Sequence, residues 1–229
     1  KNGLSMEDID AQMSAPMGLP PTGLYGLIDL IGLDVMDLVG ENLATNLPLD
    51  DFCAEFTTLP AHEHAMLERG QIGRKAGAGF YRIERLEDGT RKTEVYDLTD
   101  ESWRNANTVQ TDKAHSVPSA MFVDDEQGRL AWQIMGDTLI YAAGLVPQIA
   151  DDVVNIDRAM KWGYAWNWGP FEMLDEVGPM EVIKKIKSEG QSLPKMLQVL
   201  KNADAKTFYR NAGQEFLGLD GRYHPTPGE

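Results

Sequence analysis

The chain of 229 residues contains a single cysteine, Cys53. No intrachain disulfide can form, which fits a reducing compartment and a cytoplasmic location. No clean apolar run is long enough to cross a bilayer. The richest segments, Leu24–Val39 and Ala131–Ala150, are interrupted by Asp29, Asp34, Asp37 and Asp137. The start, Lys1-Asn2-Gly3-Leu4, has no apolar core behind it and so does not read as a secretory leader. It also lacks an initiator Met and reads as the middle of a longer chain. Positive charge is scarce: 21 Lys and Arg stand against 36 Asp and Glu, a net charge of −15. That balance argues against nucleic acid or an anionic membrane as partner. Plain solubility accounts for it, and an acidic face docking a basic surface of another domain is the alternative.

The apolar fraction, 42%, is enough for a real core, and the length suits one large domain or two modest ones. A repeat decides for two. Ile9-Asp10-x-x-Met13 and Gly23-x5-Asp29-x-x-Gly32 return as Ile156-Asp157-x-x-Met160 and Gly169-x5-Asp175-x-x-Gly178. Tyr25, Leu27, Ile28 and Ile31 match Phe171, Met173, Leu174 and Val177 in character. A fixed-offset match of this kind marks a duplicated structural unit.

Local signals are mostly helical. Ser5 to Asp8 resembles a capping box opening a helix that runs to Met13, and Pro16, Pro20 and Pro21 then force a loop. Leu24, Leu27, Ile28, Ile31, Leu38 and Val39 give one apolar stripe from Thr22 or Gly23 onward. Pro60 opens a further helix that Gly70 ends. The glycine-rich run 73–79 leads into a predicted hairpin, 80–83 with 93–96, turning at Asp88-Gly89. Trp103 to Ser119 is polar and irregular and is placed as the linker. Trp132, Met135, Leu139, Ala142 and Val146 then define a strong helix stopped by Pro147. Helices after Pro170 and over 193–200, and a small hairpin around Asp220-Gly221, complete a mainly α chain with minor β-hairpins.

Few residues suggest chemistry on their own. The run 73–79 has neither phosphate-loop pattern and precedes a strand, the wrong order for a nucleotide site. His62 and His64 lie two apart on a helix and diverge by about 200°, whereas a helical zinc pair needs a spacing of three or four. His115 and His224 lie in loops without a triad pattern. Trp162, Trp166 and Trp168 read as core and inter-helix packing more readily than as ligand stacking. The matched acids Asp29 and Asp175, and Asp10 and Asp157, read as backbone-bonding groups more readily than as acid–base catalysts. No nucleophile with a base, metal cluster or cofactor fingerprint is evident in the sequence.

The first block and its sequel resemble the C-terminal domain of 3-hydroxyacyl-CoA dehydrogenases. The matching stretches are Asp8-Ile9-Asp10, Gly18 to Asp34, and Gly73 to Tyr81; the second copy matches from Gly169 to Gly178. Tandem copies resemble the larger fatty-acid oxidation proteins, which fuse this dehydrogenase to an enoyl-CoA hydratase. The first copy departs with Gly23-Leu24-Tyr25-Gly26 in place of Gly-Pro-Phe-Glu, and the second has Lys206-Thr207-Phe208-Tyr209 in place of the glycine-rich motif.

The resemblance implies two duplicated helical domains of the 6-phosphogluconate dehydrogenase C-terminal type. They are expected over 1–110, N-terminally truncated, and 111–229. In the family an N-terminal Rossmann domain binds NAD and carries the histidine and glutamate that do the chemistry. The implied role is thus as substrate and dimerisation domains of an NAD-dependent oxidoreductase of fatty-acid β-oxidation, inactive alone, with no catalytic, cofactor or metal residue in this chain. Arg74, Lys75, Gly77, Gly79, Phe80 and Tyr81 are the positions implied to face the acyl-CoA cleft or the Rossmann domain. The resemblance also implies a homodimer, and the Pro-rich end is compatible with a following hydratase domain. Two alternatives stay open: a stand-alone non-catalytic acyl-binding or interaction module, and a helical domain of another β-hydroxyacid dehydrogenase.

Overall fold

The computed structural model describes residues 3–48, 51–110 and 118–228. His115 and the expected domain boundary after residue 110 lie at or beyond the edge of these segments. Contacts group the chain into two compact units. The first comprises Ser5–Ala11 and Thr22–Gln110; the second comprises Lys1–Leu4, Gln12–Pro21 and Thr111–Glu229. The architecture is mainly helical, with two small three-stranded antiparallel sheets.

In the first unit, α1 (Met6–Gln12) opens on the expected capping box: Ser5 Oγ accepts from Asp8 N–H and Asp8 accepts from Ser5 N–H. The apolar run after Gly23 forms two helices and not one. α2 (Gly23–Ile31) stops at Gly32, whose φ of 101° an L side chain rarely adopts, and α3 (Leu33–Asn46) restarts beyond it. The second copy breaks in the same way at Gly178, φ 94°. α4 (Ala61–Glu68) follows Pro60. The hairpin is longer than predicted, β1 (Tyr81–Arg85) with β2 (Arg91–Asp97), in register Ile83 opposite Thr93.

A third strand, β3 (Ser102–Asn105), pairs with β2 where the linker was expected to begin. It is held by a distant partner. Arg104 clasps Glu7 of α1 through two bonds of 2.7 and 2.9 Å, and Trp103 stacks edge-on against Tyr96. The core gathers Leu33, Met66, Phe80 and Tyr96.

In the second unit the leading helix appears as α5 (Glu126–Ala131), a π turn over Trp132–Gly136, and α6 (Asp137–Gly144). Trp132, Met135, Leu139, Ala142 and Val146 are all buried, as their spacing requires. α7 (Val153–Tyr164), α8 (Pro170–Val177), α9 (Pro179–Ser188) and α10 (Lys195–Asn202) follow. The tail forms β4 (Tyr209–Arg210), β5 (Glu215–Leu217) and β6 (Tyr223–Pro225), one strand more than expected. α6 packs on α8, and Phe171, Met173 and Leu174 are completely buried. Their counterparts Tyr25, Leu27 and Ile28 on α2 are only half-buried.

Candidate functional site

The repeated residues build the same device twice. In the first unit Asp10 lies where α1 meets the start of α2. Its carboxylate accepts from Tyr25 N–H at 2.7 Å and Gly26 N–H at 3.0 Å, two of the donors a helix start leaves unsatisfied. Asp29, on the last turn of α2, accepts from Phe80 N–H at 2.7 Å and Tyr81 N–H at 2.8 Å, fixing the start of β1. The Tyr81 hydroxyl returns to Asp10 at 3.0 Å and closes the circuit.

In the second unit Asp157 accepts from Phe171 N–H at 2.8 Å, Glu172 N–H at 3.1 Å and the Tyr209 hydroxyl at 2.9 Å. Asp175 accepts from Phe208 N–H at 2.6 Å and Tyr209 N–H at 2.8 Å. An edge-on ring pair recurs beside each circuit: Tyr25 with Phe80 at 4.9 Å, and Phe171 with Phe208 at 4.8 Å. The repeated glycine before each helix is explained by close approach. A Cβ on Gly23 would lie 2.4 Å from Asp10 Cβ, and one on Gly169 would lie 2.2 Å from Asp157 Cβ.

Burial dominates the electrostatics. It raises all four carboxyls above their ordinary range, against the pull of the N–H and hydroxyl donors. Asp157, 2% exposed, is pushed up to about 7, and Asp175 to about 6. Burial and the neighbouring acids push the Tyr81 and Tyr209 hydroxyls up as well, so both stay protonated donors. All four acids bond backbone N–H groups, the kind of contact expected of them from the sequence.

Beside each circuit is an open cavity. In the first unit it measures about 530 Å³ and is lined by Asp10, Asp29, Arg74, Gly77, Tyr81 and Arg82, among others. The second unit has Glu172 at the position equivalent to Gly26, and Glu172 there accepts from Gly169 N–H and pairs with Lys161 at 2.8 Å. With Gly26 in its place, Arg74 reaches in and donates to Gly26 O at 3.4 Å. The second cavity, about 490 Å³, is lined by Asp157, Lys161, Trp162, Trp168 and Tyr209, among others.

The six residues expected at a cleft divide. Arg74, Lys75 and Gly77 are exposed, and Tyr81 is half-buried on the cavity wall. Gly79 and Phe80 are interior: Phe80 is in the core, and Gly79 passes so close to Asp29 that a Cβ would overlap its Oδ1. Lys75 is tied to Asp34 at 2.6 Å.

Two other readings change. Trp162 is 64% exposed, with the Arg158 guanidinium 5.5 Å from its ring centroid, because α7 turns Val153, Val154, Ile156 and Asp157 to the core and Trp162 away from it. Trp168 packs against Gly18, where a Cβ would meet the ring at 2.4 Å. The second copy's Phe208-Tyr209, which looked like a lost motif, takes the same place as Phe80-Tyr81. The Phe-Tyr pair was the signal, and the glycines before it were not. Among the described residues no group of three or more His, Cys, Asp or Glu could hold a metal ion. Both sheets among the described residues are antiparallel and the glycine-rich turn precedes a strand, the reverse of the strand–turn–helix order of a dinucleotide-binding unit.

The profile of the 3-hydroxyacyl-CoA dehydrogenase C-terminal domain matches residues 1–83. A probable 3-hydroxyacyl-CoA dehydrogenase of Bacillus subtilis is 32% identical over 97% of this chain, which covers 29% of that protein. A putative fatty acid oxidation complex trifunctional enzyme of Rickettsia felis is 35% identical over 72% of this chain and 23% of its own length. The chain thus spans under a third of these relatives. A solved 3-hydroxybutyryl-CoA dehydrogenase of Escherichia coli aligns with 82% of this chain and 54% of its own, at 16% identity and a TM-score of 0.44. The chain is a homologue of the 3-hydroxyacyl-CoA dehydrogenases over most of its length, and its residues 1–83 carry that family's C-terminal domain.

Proposed function

We propose that the chain supplies two duplicated C-terminal domains, 1–110 and 111–229, of an NAD-dependent L-3-hydroxyacyl-CoA dehydrogenase of fatty-acid β-oxidation. The observation that carries this is the circuit of two aspartates and a tyrosine, built identically in both copies, within a chain homologous to such dehydrogenases. NAD binds a Rossmann domain outside these residues, and the chain alone does not oxidise substrate. The enzyme is a cytoplasmic homodimer with an enoyl-CoA hydratase domain in the same polypeptide, as in proteins of the trifunctional kind.

Within this reading the first unit works on substrate and the second braces it. The apolar residues of α2 are half-buried where those of the equivalent α8 are fully buried, with α6 among the elements packed on it, and this supports a leading helix ahead of the first copy in the parent. The exposed guanidinium of Arg74 beside Tyr81 and Gly77 suits an anionic part of an acyl-CoA thioester or the facing domain. In the full-length parent, Arg74→Ala is expected to raise KM for acetoacetyl-CoA several-fold with kcat nearly unchanged. An unchanged KM would remove Arg74 from the cleft.

A further inference from the structure

The two circuits part at Gly26, where the second unit carries Glu172. The fold does not ask for a glycine there. Gly26 lies inside α2 without a positive φ. A Cβ built on it would find its nearest atom outside the helix backbone, Asp10 Oδ2, at 3.5 Å, which is ordinary contact. Gly23 and Gly79, by contrast, are forced by overlap. Inside a helix a glycine is also less favourable than alanine.

That Cβ would stand 3.9 Å from Arg74 Nη2 and 3.9 Å from Thr22 Cβ. Arg74 is exposed, donates one long bond to Gly26 O, and has no ion pair among the described residues. Thr22 Oγ1 is buried and has no hydrogen-bond partner among them. Both residues line the cavity of about 530 Å³, with Gly26 and Gly77.

The second copy shows what such a place holds. There the Glu172 carboxylate accepts from Gly169 N–H at 2.9 Å and pairs with Lys161 at 2.8 Å. It does so beside Asp157 and Asp175, whose carboxylates are engaged by backbone N–H groups. Two acids in the wall therefore do not exclude a third oxyanion. Lys161 is Ser14 in the first copy, and the cation comes instead from Arg74 on its 3₁₀ turn.

We propose that the first cavity seats an external oxyanion, a carboxylate or a phosphate, where the second unit seats the carboxylate of Glu172, with Arg74 as its cation and the Thr22 hydroxyl as a second donor. The guanidinium fork bonds either kind of oxyanion. The seat follows from comparing the two copies and not from the dehydrogenase reading, which its failure would leave standing.

The test uses the isotope-labelled whole chain in nuclear magnetic resonance. Sodium acetate and sodium phosphate are titrated in turn, at ionic strength held constant with sodium chloride. The signals read are Arg74 Nε–H and the backbone N–H of Gly77. Saturable shifts of both are expected, with none from chloride. Tighter acetate marks a carboxylate ligand, and tighter phosphate a phosphate ligand. Arg74→Gln should weaken binding, read at Gly77, about tenfold or more, since a charge-assisted pair is lost. Gly26→Glu supplies the acid from within, so its Arg74 signal should start near the bound position and ignore both anions. Gly26→Ala, which adds no acid, should bind as the unaltered chain does. The spread of amide signals reports the folding of each variant. No saturable shift with either anion, equal shifts from chloride, binding indifferent to Arg74→Gln, or a full response in folded Gly26→Glu overturns the proposal.

Discussion

Tyr209→Phe removes one hydroxyl and nothing else from the second circuit. The lost bond runs 2.9 Å to Asp157, a carboxyl that burial pushes up to about 7. The cost should therefore depend on pH. At pH 5 Asp157 is protonated in the fold, and a neutral hydrogen bond contributes about 1 kcal/mol. At pH 8 the carboxylate is ionised, and a bond to a charged group contributes about 2 kcal/mol. For a unit of this size each kcal/mol moves Tm by about 3–5 °C. The deficit of the variant should thus widen by roughly 4 °C between pH 5 and pH 8. Calorimetry of the chain and the variant at both values reads it directly. A deficit equal at both pH values, or smaller at pH 8, would falsify the placement of a titrating Asp157 under this hydroxyl.

Three further outcomes follow from the same geometry. Asp157 and Asp175 have raised pKa values in the fold, so their contribution to stability is fully present below about pH 4 and lost as pH rises through 6 to 7; denaturant melts should show the second unit weakening across that window. Glu7 behaves oppositely: burial would raise it, but Arg104 and Asn107 N–H hold it at about 2, so Glu7→Gln should cost about 2–4 kcal/mol at pH 7 by urea titration, and little at pH 2. Gly79→Ala puts a Cβ 1.9 Å from Asp29 Oδ1 and should destabilise the first unit by about 2–4 kcal/mol, whereas the open Gly77→Ala should cost about 1 kcal/mol for its positive φ alone.

The parts legible in the sequence were those fixed locally. The 3.6-residue spacing of Trp132, Met135 and Leu139 is a property of one helix, and so is the capping box at Ser5. The repeat adds long-range information, because the same acid at the same place in two copies points to backbone bonding. What stayed hidden depended on distant partners. β3 exists because Arg104 finds Glu7, 97 positions away. The break at Gly32 was masked by an apolar stripe that continued in spacing while the backbone changed direction. The second Phe-Tyr pair has no glycine-rich run before it, so only its bonds to Asp175 reveal the match to Phe80-Tyr81. Those glycines serve the 3₁₀ turn at Arg74–Ala76 and the passage past Asp29, which the first copy needs.

The central claim is that these units serve a dehydrogenase whose cofactor domain lies outside them. It is tested most directly by NADH formation from L-3-hydroxybutyryl-CoA and NAD, measured at 340 nm (the absorbance of reduced nicotinamide, on the order of hundreds of nanometres) for the purified chain and for its full-length parent. Formation by the parent and none by the chain is expected. NADH produced by the chain alone, or no oxidation by the intact parent, would contradict the account.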